Sequence, residues 1–70
     1  MKTYYLYLQL ADGREGYYRS QKGNKMKDIK LASYPAGAIE FPSKDAAEAK
    51  IKYYKDYMSE MVVYAEVVER

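Results

Sequence analysis

Apolar and polar side chains alternate with a period of two over residues 3–10. One set comprises Tyr4, Leu6, Leu8 and Leu10, and the other comprises Tyr5, Tyr7 and Gln9. Alternation of this kind is typical of a strand with one buried face. We therefore predict a first strand whose leucines face the core and whose remaining tyrosines lie on the reverse face.

The Asp12-Gly13 pair after this strand predicts a hairpin turn, because Asp and Gly accept positive φ at low cost. A two-residue loop would place Arg19 opposite Leu6, whereas a three-residue loop with a left-handed Gly13 places Tyr18 there. We favour the three-residue loop because it keeps charged residues off the leucine face. The reverse face then also carries Glu15, Tyr17 and Arg19.

A polar segment follows over residues 20–30, with a turn signal at Gly23-Asn24. Within residues 14–30, six basic side chains stand against only two carboxylates, Glu15 and Asp28. The six are Arg14, Arg19, Lys22, Lys25, Lys27 and Lys30. This excess is larger than the net charge of +2 for the whole chain, so the basic character is local.

The middle of the chain holds three short segments before the next long element. Residues 29–32 fit either a short strand or a single helical turn. Residues 34–37 have Pro at the second position and Gly at the fourth, which favours a type I turn. Residues 38–41 predict a brief strand with Ile39 and Phe41 on the same side.

Residues 43–58 have the pattern of a capped amphipathic helix. Ser43 is the predicted N-cap, and Asp45 lies in the first turn, where the helix dipole favours negative charge. The apolar stripe consists of Ala47, Ile51, Tyr54 and Met58. Ion pairs one turn apart are expected at Lys44–Glu48, Glu48–Lys52 and Lys52–Asp56.

Residues 61–68 predict a final strand that is largely apolar on both faces. Met61, Val63, Ala65 and Val67 form one face, and Val62, Tyr64, Glu66 and Val68 form the other. We therefore expect this strand in the interior of the sheet, paired with the first strand. The predicted fold class is α+β: an antiparallel sheet of three to five strands with one helix packed on one face, in the order ββ(β)αβ. The chain is expected to form one domain over residues 1–70.

Composition narrows the function classes. The chain contains no Cys and no His, which excludes the catalytic pairs that depend on them and argues against structural zinc. Asp45 and Glu48 have the spacing to reach one cation, but the helix dipole and ion pairs explain both residues better. We therefore expect a non-enzymatic protein that needs no cofactor and no metal.

The length of 70 residues is near the lower limit for independent folding, so burial against a second copy or a partner is a realistic source of stability. No apolar run approaches the about 20 residues that a membrane-spanning helix needs. Met1-Lys2 is followed by alternating tyrosines and leucines rather than by an apolar signal segment. We expect a cytoplasmic protein with no membrane attachment.

The chain has 10 tyrosines against one Phe and no Trp, more than a core of this size needs. Tyrosine together with arginine is typical of binding hot spots. The predicted contact residues are Tyr5, Tyr7, Tyr17, Arg19, Lys22, Lys25, Lys27 and Tyr64, with Val62 and Val68 nearby. The competing interpretation is that this face is merely solvated, or is covered by residues 20–34.

Two kinds of occupant fit such a face. Single-stranded nucleic acid could stack its bases on the rings while lysines follow the phosphates. Glu15 and Glu66 lie on or near the same face and would repel a phosphate backbone. A protein partner, or a second copy in a homodimer, tolerates the mixed charges better, so we favour a protein partner.

The order of elements also carries a resemblance. A hairpin and a short strand precede a helix that opens with Phe41, Ser43, Ala46, Ala47 and Ile51, and an apolar strand follows. This order resembles small ββ(β)αβ proteins of bacteriophages and mobile elements, a group that includes anti-CRISPR inhibitors. The resemblance implies a small protein of the host cell cytoplasm that acts by occupying a surface of a larger complex.

Overall fold

A computed structural model describes residues 2–70 of the chain. Within this range, the strands are β1 (Tyr4–Leu10), β2 (Glu15–Gln21), β3 (Ile29–Ala32) and β4 (Val62–Glu69), and the helix is α1 (Lys44–Tyr57). Short 3-10 turns occupy Met26–Asp28 and Pro35–Gly37. The strands form one antiparallel sheet in the order β3-β2-β1-β4, and α1 packs mainly over β4 and β1. The predicted α+β class is confirmed.

The first hairpin has the predicted three-residue loop. The Leu10 amide donates to the Arg14 carbonyl at 2.8 Å, and Gly13 has a φ of 94°, a conformation that favours glycine. Leu8 lies opposite Gly16. This register places the leucines of β1 on the side of α1 and its reverse-face tyrosines on the other side.

Gly16 allows β3 to approach β2 closely. A Cβ atom at this position would lie 2.7 Å from the carbonyl oxygen of Ala32 and 3.2 Å from Leu31 Cβ. Residues 29–32, for which the sequence left strand and helical turn open, are therefore a strand held against β2. The absence of a side chain at Gly16 is what makes this contact sterically possible.

The register of β2 against β3 shifts between Tyr18 and Ser20, which marks a β-bulge at Arg19. Bulges bend the strand that contains them. Beyond it, the Gln21 amide nitrogen lies 3.4 Å from the sulfur of Met58, at the end of α1. The Arg14 guanidinium, from the first hairpin, donates to the carbonyls of Ile29 at 3.1 Å and Met26 at 2.8 Å. The sheet therefore curls around the core instead of remaining flat.

Residues 38–41 do not form the predicted strand. Their amides instead bridge β1 and β2 at single points: the Ile39 amide donates to the Tyr18 carbonyl at 3.0 Å, and the Phe41 amide donates to the Tyr4 carbonyl at 2.8 Å. Ile39 is exposed while Phe41 packs against the core. The turn predicted at residues 34–37 is present as a 3-10 turn, closed by a bond from the Gly37 amide to the Tyr34 carbonyl.

The helix begins and ends close to its predicted bounds. The Ser43 hydroxyl accepts a hydrogen bond from the Ala46 amide at 3.1 Å, which confirms the N-cap. Ala47, Tyr54 and Met58 of the predicted stripe are buried, and Ile51 is half-buried. Two of the expected ion pairs form on the solvent side, Lys44–Glu48 at 3.8 Å and Lys52–Asp56 at 3.3 Å.

The last strand pairs with β1 as predicted, but its predicted position in the interior of the sheet is wrong, because β4 is an edge strand. The predicted assignment of its side chains to the two faces of the sheet is also partly wrong. A register shift between Gln9 and Leu10 leaves Val63 without a position in the ladder, so Val62 turns into the core and Val63 is 62% exposed. Val62 therefore does not belong to the reverse face.

The core lies between α1 and the concave side of the sheet. Its buried members are Leu6, Leu8, Leu10, Tyr18, Ile29, Tyr54, Met58 and Val62. Tyr54 is 1% exposed, and its hydroxyl donates to the Gln21 amide oxygen at 2.8 Å. A tyrosine can be buried this deeply because its polar atom has a partner.

Candidate functional site

The convex side of the sheet, away from α1, carries a cluster of tyrosines that we call the tyrosine face. Its members are Tyr5, Tyr7, Tyr17 and Tyr64. The Tyr17 ring meets Tyr5 and Tyr7 edge to face, with centroids 6.4 and 5.5 Å apart. Such arrangements fix the ring orientations. The rings therefore present a preformed surface rather than independently mobile side chains.

The members of the tyrosine face differ in exposure. Tyr5 is only 8% exposed, and its hydroxyl donates to the Glu40 carboxylate at 3.3 Å. Tyr7 and Tyr17 are half-buried, while Tyr64 is 46% exposed. The accessible part of the face is consequently formed by Tyr7, Tyr17 and Tyr64, with Tyr5 supporting them.

Carboxylates surround the hydroxyl groups of this face. The Tyr64 hydroxyl donates to Glu66 at 2.8 Å, and this hydrogen bond is the main reason that the pKa of Tyr64 is raised. Burial, together with the neighbouring Glu15 carboxylate, raises the pKa of Tyr7. The hydroxyls of Tyr7 and Tyr64 are therefore held protonated.

One cation also reaches the face. The Arg70 guanidinium donates to the Tyr17 hydroxyl at 3.4 Å, at the end of β4 farthest from Tyr64.

Burial and the Glu40 carboxylate raise the pKa of Tyr5. The tyrosine face thus combines aromatic carbon with a mixed but largely acidic rim, which suits the polar rim of a protein interface.

The basic residues predicted to join the tyrosines gather elsewhere. Arg19 and Lys22 line a groove of about 590 Å³ together with Arg14, Ser20, Asp28, Lys30 and Leu31. We call this the basic groove. Lys25 and Lys27 are exposed in and beside the 3-10 turn Met26–Asp28 and do not line it. None of the tyrosines of the tyrosine face lines it either.

Sequence reasoning placed Arg14 and Lys30 in a basic region but not among the contact residues. Arg14 joins the groove because the first hairpin folds toward the beginning of β3, where its guanidinium binds two carbonyls. This guanidinium also forms an ion pair with Asp12 at 2.8 Å. The excess of basic residues between 14 and 30 was the available signal, but the bend at Arg19 that brings them together has no recognisable sequence motif.

A second aromatic cluster surrounds Lys50 on α1. The Lys50 ammonium lies 5.2 Å from the Tyr18 ring centroid, 4.9 Å from that of Tyr53 and 5.2 Å from that of Tyr54. Burial lowers the pKa of Lys50, while the ring faces favour its charged form. The spacing of Lys50, Tyr53 and Tyr54 along one helix turn could have predicted part of this cluster.

Among residues 2–70, no group of three or more carboxylates is placed to hold a metal ion, and no helix has the length and apolar character needed to cross a bilayer. A scan against protein-family models and searches of curated proteins and of solved structures return no match. What this chain can bind therefore follows from the chemistry of the tyrosine face and the basic groove.

Proposed function

We propose that this chain is a non-enzymatic protein-binding module that uses the tyrosine face to occupy a surface of a larger host complex. By its resemblance to small phage proteins, it would act as an inhibitor of the anti-CRISPR type or as an adaptor. It would then work in the cytoplasm, which is the host cell cytoplasm if a phage encodes it. The observation that carries this proposal is the ordered packing of Tyr7 and Tyr17 beside the exposed Tyr64.

The chemistry of the face supports a protein partner over a nucleic acid. Rigid tyrosines supply a large contact area at low conformational cost, and their hydroxyls donate hydrogen bonds. Glu15 and Glu66 lie among those hydroxyls. Carboxylates at this position would repel phosphates but can pair with basic groups of a protein surface.

The experiment compares tyrosine variants in affinity capture from the source cells, with the captured proteins identified and the complex then titrated in purified form. Tyr7→Ala and Tyr64→Ala should each weaken the purified complex by about 30-fold, the effect of removing a hot-spot residue. Tyr34→Ala is the matched control, because Tyr34 is 75% exposed and lies in the loop before the Pro35–Gly37 turn. It should leave the affinity unchanged.

The proposal fails if a partner is captured equally well by the wild type and by both face variants. It also fails if the Tyr34 variant weakens the complex as much as the others, since the effect would then not be specific to the face. Circular dichroism of each variant checks that the fold is intact, because Tyr7 also packs against Tyr17.

The basic groove supports one alternative function, single-stranded nucleic-acid binding. Four basic side chains line the groove against one carboxylate, Asp28, and such grooves follow a phosphate backbone. Titration with a single-stranded oligonucleotide at several salt concentrations tests this alternative. A steep loss of affinity with salt in the wild type, together with a lower affinity of the Arg19→Ala and Lys30→Ala variants, would favour nucleic acid. Absence of binding at low salt would remove it.

A further inference from the structure

The strand β4 has a free edge that is long and largely apolar. It spans Val62–Glu69 and ends the sheet order β3-β2-β1-β4. Natural proteins usually protect such edges with a short strand, with proline or with inward-pointing charge. Here the strand has eight residues without proline, and its bulge at Val63 lies near its start. Its exposed side chains include Val63 and Tyr64 as well as Glu66 and Glu69. The edge is therefore suited to accept another strand.

Backbone hydrogen bonding identifies which groups point outward. Thr3 and Arg70 exchange both of their backbone bonds across the β1–β4 ladder, each at 2.8 Å. In an antiparallel pair such bonded positions alternate with positions whose amide and carbonyl point away. The register pairs Tyr5 with Val68 and Tyr7 with Glu66, so Val68 and Glu66 bond inward. Ala65, Val67 and Glu69 then direct their amides and carbonyls to the outer edge.

A groove runs alongside this edge, between β4 and α1, with a volume of about 630 Å³. Its apolar part is formed by Ile51, Ala65 and Val67, all half-buried. Its charged residues on α1 are Lys44, Glu48, Lys52, Lys55 and Asp56. The groove and the strand edge are contiguous because Ala65 and Val67 belong to both.

The charges along this groove are self-complementary. At intervals of one turn, Lys44, Glu48, Lys52 and Asp56 alternate in sign. When the same series is set antiparallel to itself, Lys44 faces Asp56 and Glu48 faces Lys52. Every facing pair is then of opposite sign, which is the arrangement that a two-fold axis produces between identical subunits.

We propose that a second copy of this chain pairs antiparallel with the outer edge of β4, so that Ala65 lies opposite Ala65 of the second copy. The sheet then continues across a two-fold axis, and the two α1 helices lie antiparallel above the junction. The axis passes near the middle of α1 because Ile51 shares the groove with Ala65 and Val67.

This register is compatible with both hydrogen bonding and charge. With Ala65 opposite itself, the two outward amides and carbonyls bond reciprocally, and Tyr64 of one copy lies opposite Glu66 of the other. A centre one residue later would set Glu66 opposite Glu66 on the convex face, and like charges directly opposite destabilise a sheet. This arrangement shares Tyr64 and Glu66 with the tyrosine face, but it rests on the outer backbone of β4 and the charges of α1, so neither proposal depends on the other.

The test is the mass of the protein in solution, measured by sedimentation over a range of concentrations. The wild type should change from the 8.2 kDa monomer to twice that mass. Lys52→Glu should raise the dimer Kd by about tenfold, because the symmetry reverses two exposed ion pairs at once. The double change Glu48→Lys with Lys52→Glu should restore the affinity. Lys27→Glu, the same charge change outside the groove, should have no effect.

Ala65→Pro tests the strand edge separately. The Ala65 amide points away from β1, so proline removes an outward donor without breaking the ladder, as edge strands tolerate. This variant should be monomeric with an unchanged circular dichroism spectrum. If it does not fold, the charge series decides the question.

Two results would overturn the dimer. One is a wild type that stays monomeric up to about 1 mM, because any dimer with a lower Kd would be detected at that concentration. The other is a dimer whose Kd is the same in the wild type, in Lys52→Glu and in the double change Glu48→Lys with Lys52→Glu. A dimer lost in Tyr7→Ala but kept in Ala65→Pro would place the contact on the tyrosine face and would equally overturn this arrangement.

Discussion

Replacing Gly16 with alanine tests whether the stability of the fold depends on close contact between β2 and β3. The new Cβ would lie 2.7 Å from the Ala32 carbonyl oxygen and 3.2 Å from Leu31 Cβ. Because the first of these atoms belongs to the backbone, a rotamer change cannot relieve the contact. Overpacking of this kind costs about 1–3 kcal/mol, and the φ of 156° at Gly16, which alanine rarely adopts, adds backbone strain to that cost.

The expected loss for Gly16→Ala is at least about 2 kcal/mol, a large fraction of the about 4–10 kcal/mol available to a chain of this length. Such a loss lowers the Tm by about 10 °C. Urea unfolding followed by far-ultraviolet circular dichroism measures it directly, and the slope of the transition should stay constant because the unfolded state exposes the same surface.

Gly37→Ala is the control without either strain, since Gly37 does not have a positive φ and its Cβ would meet Ala32 at 3.4 Å, an ordinary contact with a side-chain carbon. The control should change the free energy of unfolding by less than about 1 kcal/mol, and in the stabilising direction. If Gly16→Ala unfolded at the same urea concentration as the wild type, the close approach of β3 to β2 would not be a constraint on the fold.

Three further substitutions have defined outcomes. Tyr54→Phe should lower the free energy of unfolding by about 1 kcal/mol, because the Gln21 amide oxygen loses its donor; Tyr53→Phe, on the more exposed neighbour, should change it by less than about 0.5 kcal/mol, and equal effects would contradict the role of this bond. Ser43→Ala should cost about 1 kcal/mol in the same urea assay through loss of the N-cap, and a neutral result would mean that water replaces the hydroxyl. The backbone amide and guanidinium of Arg14 lower the pKa of Asp12 below its ordinary 3.8. The contribution of ionised Asp12 to the stability of the fold is therefore present at neutral pH and is lost as the pH falls through the folded-state pKa. The difference in urea midpoint between the wild type and Asp12→Asn should close as the solution is acidified, and a constant difference would argue against the ion pair.

The elements with strong local signals were predictable from the sequence. The alternation of β1, the Ser43 cap and the spacing of Ala47, Ile51, Tyr54 and Met58 follow from local chemistry, and the structure has them where they were expected. The hairpin register was also predictable, because one of the two loops would have buried Arg19.

The predictions that failed concern features that are decided by contacts between distant parts of the chain. A strand with two apolar faces can lie inside a sheet or at an edge, and the composition of β4 does not distinguish these positions. The bulge at Val63 inverted the facing of Val62 because a single extra residue changes which side of the sheet each neighbour occupies. Residues 38–41 had the alternation of a strand, yet their amides bond to two different strands instead of following one.

The candidate site was predictable in its aromatic half only. Once the hairpin register was chosen, the period of two placed Tyr5, Tyr7 and Tyr17 together. The separation of the lysines from these rings depends on the bend at Arg19, and the burial of Tyr5 depends on Glu40 from a distant segment. Neither contact has a local sequence signal.

The pairing of β1 with β4 has a consequence for how the protein matures during synthesis. Leu6 meets Val67 across this ladder, so the chain must close nearly its full described length before its central strand acquires a neighbour on that side. Long closures of this kind slow folding. During synthesis, β4 must therefore leave the ribosome before it can pair with β1, and until then that edge of β1 and its leucines are open to non-native contacts.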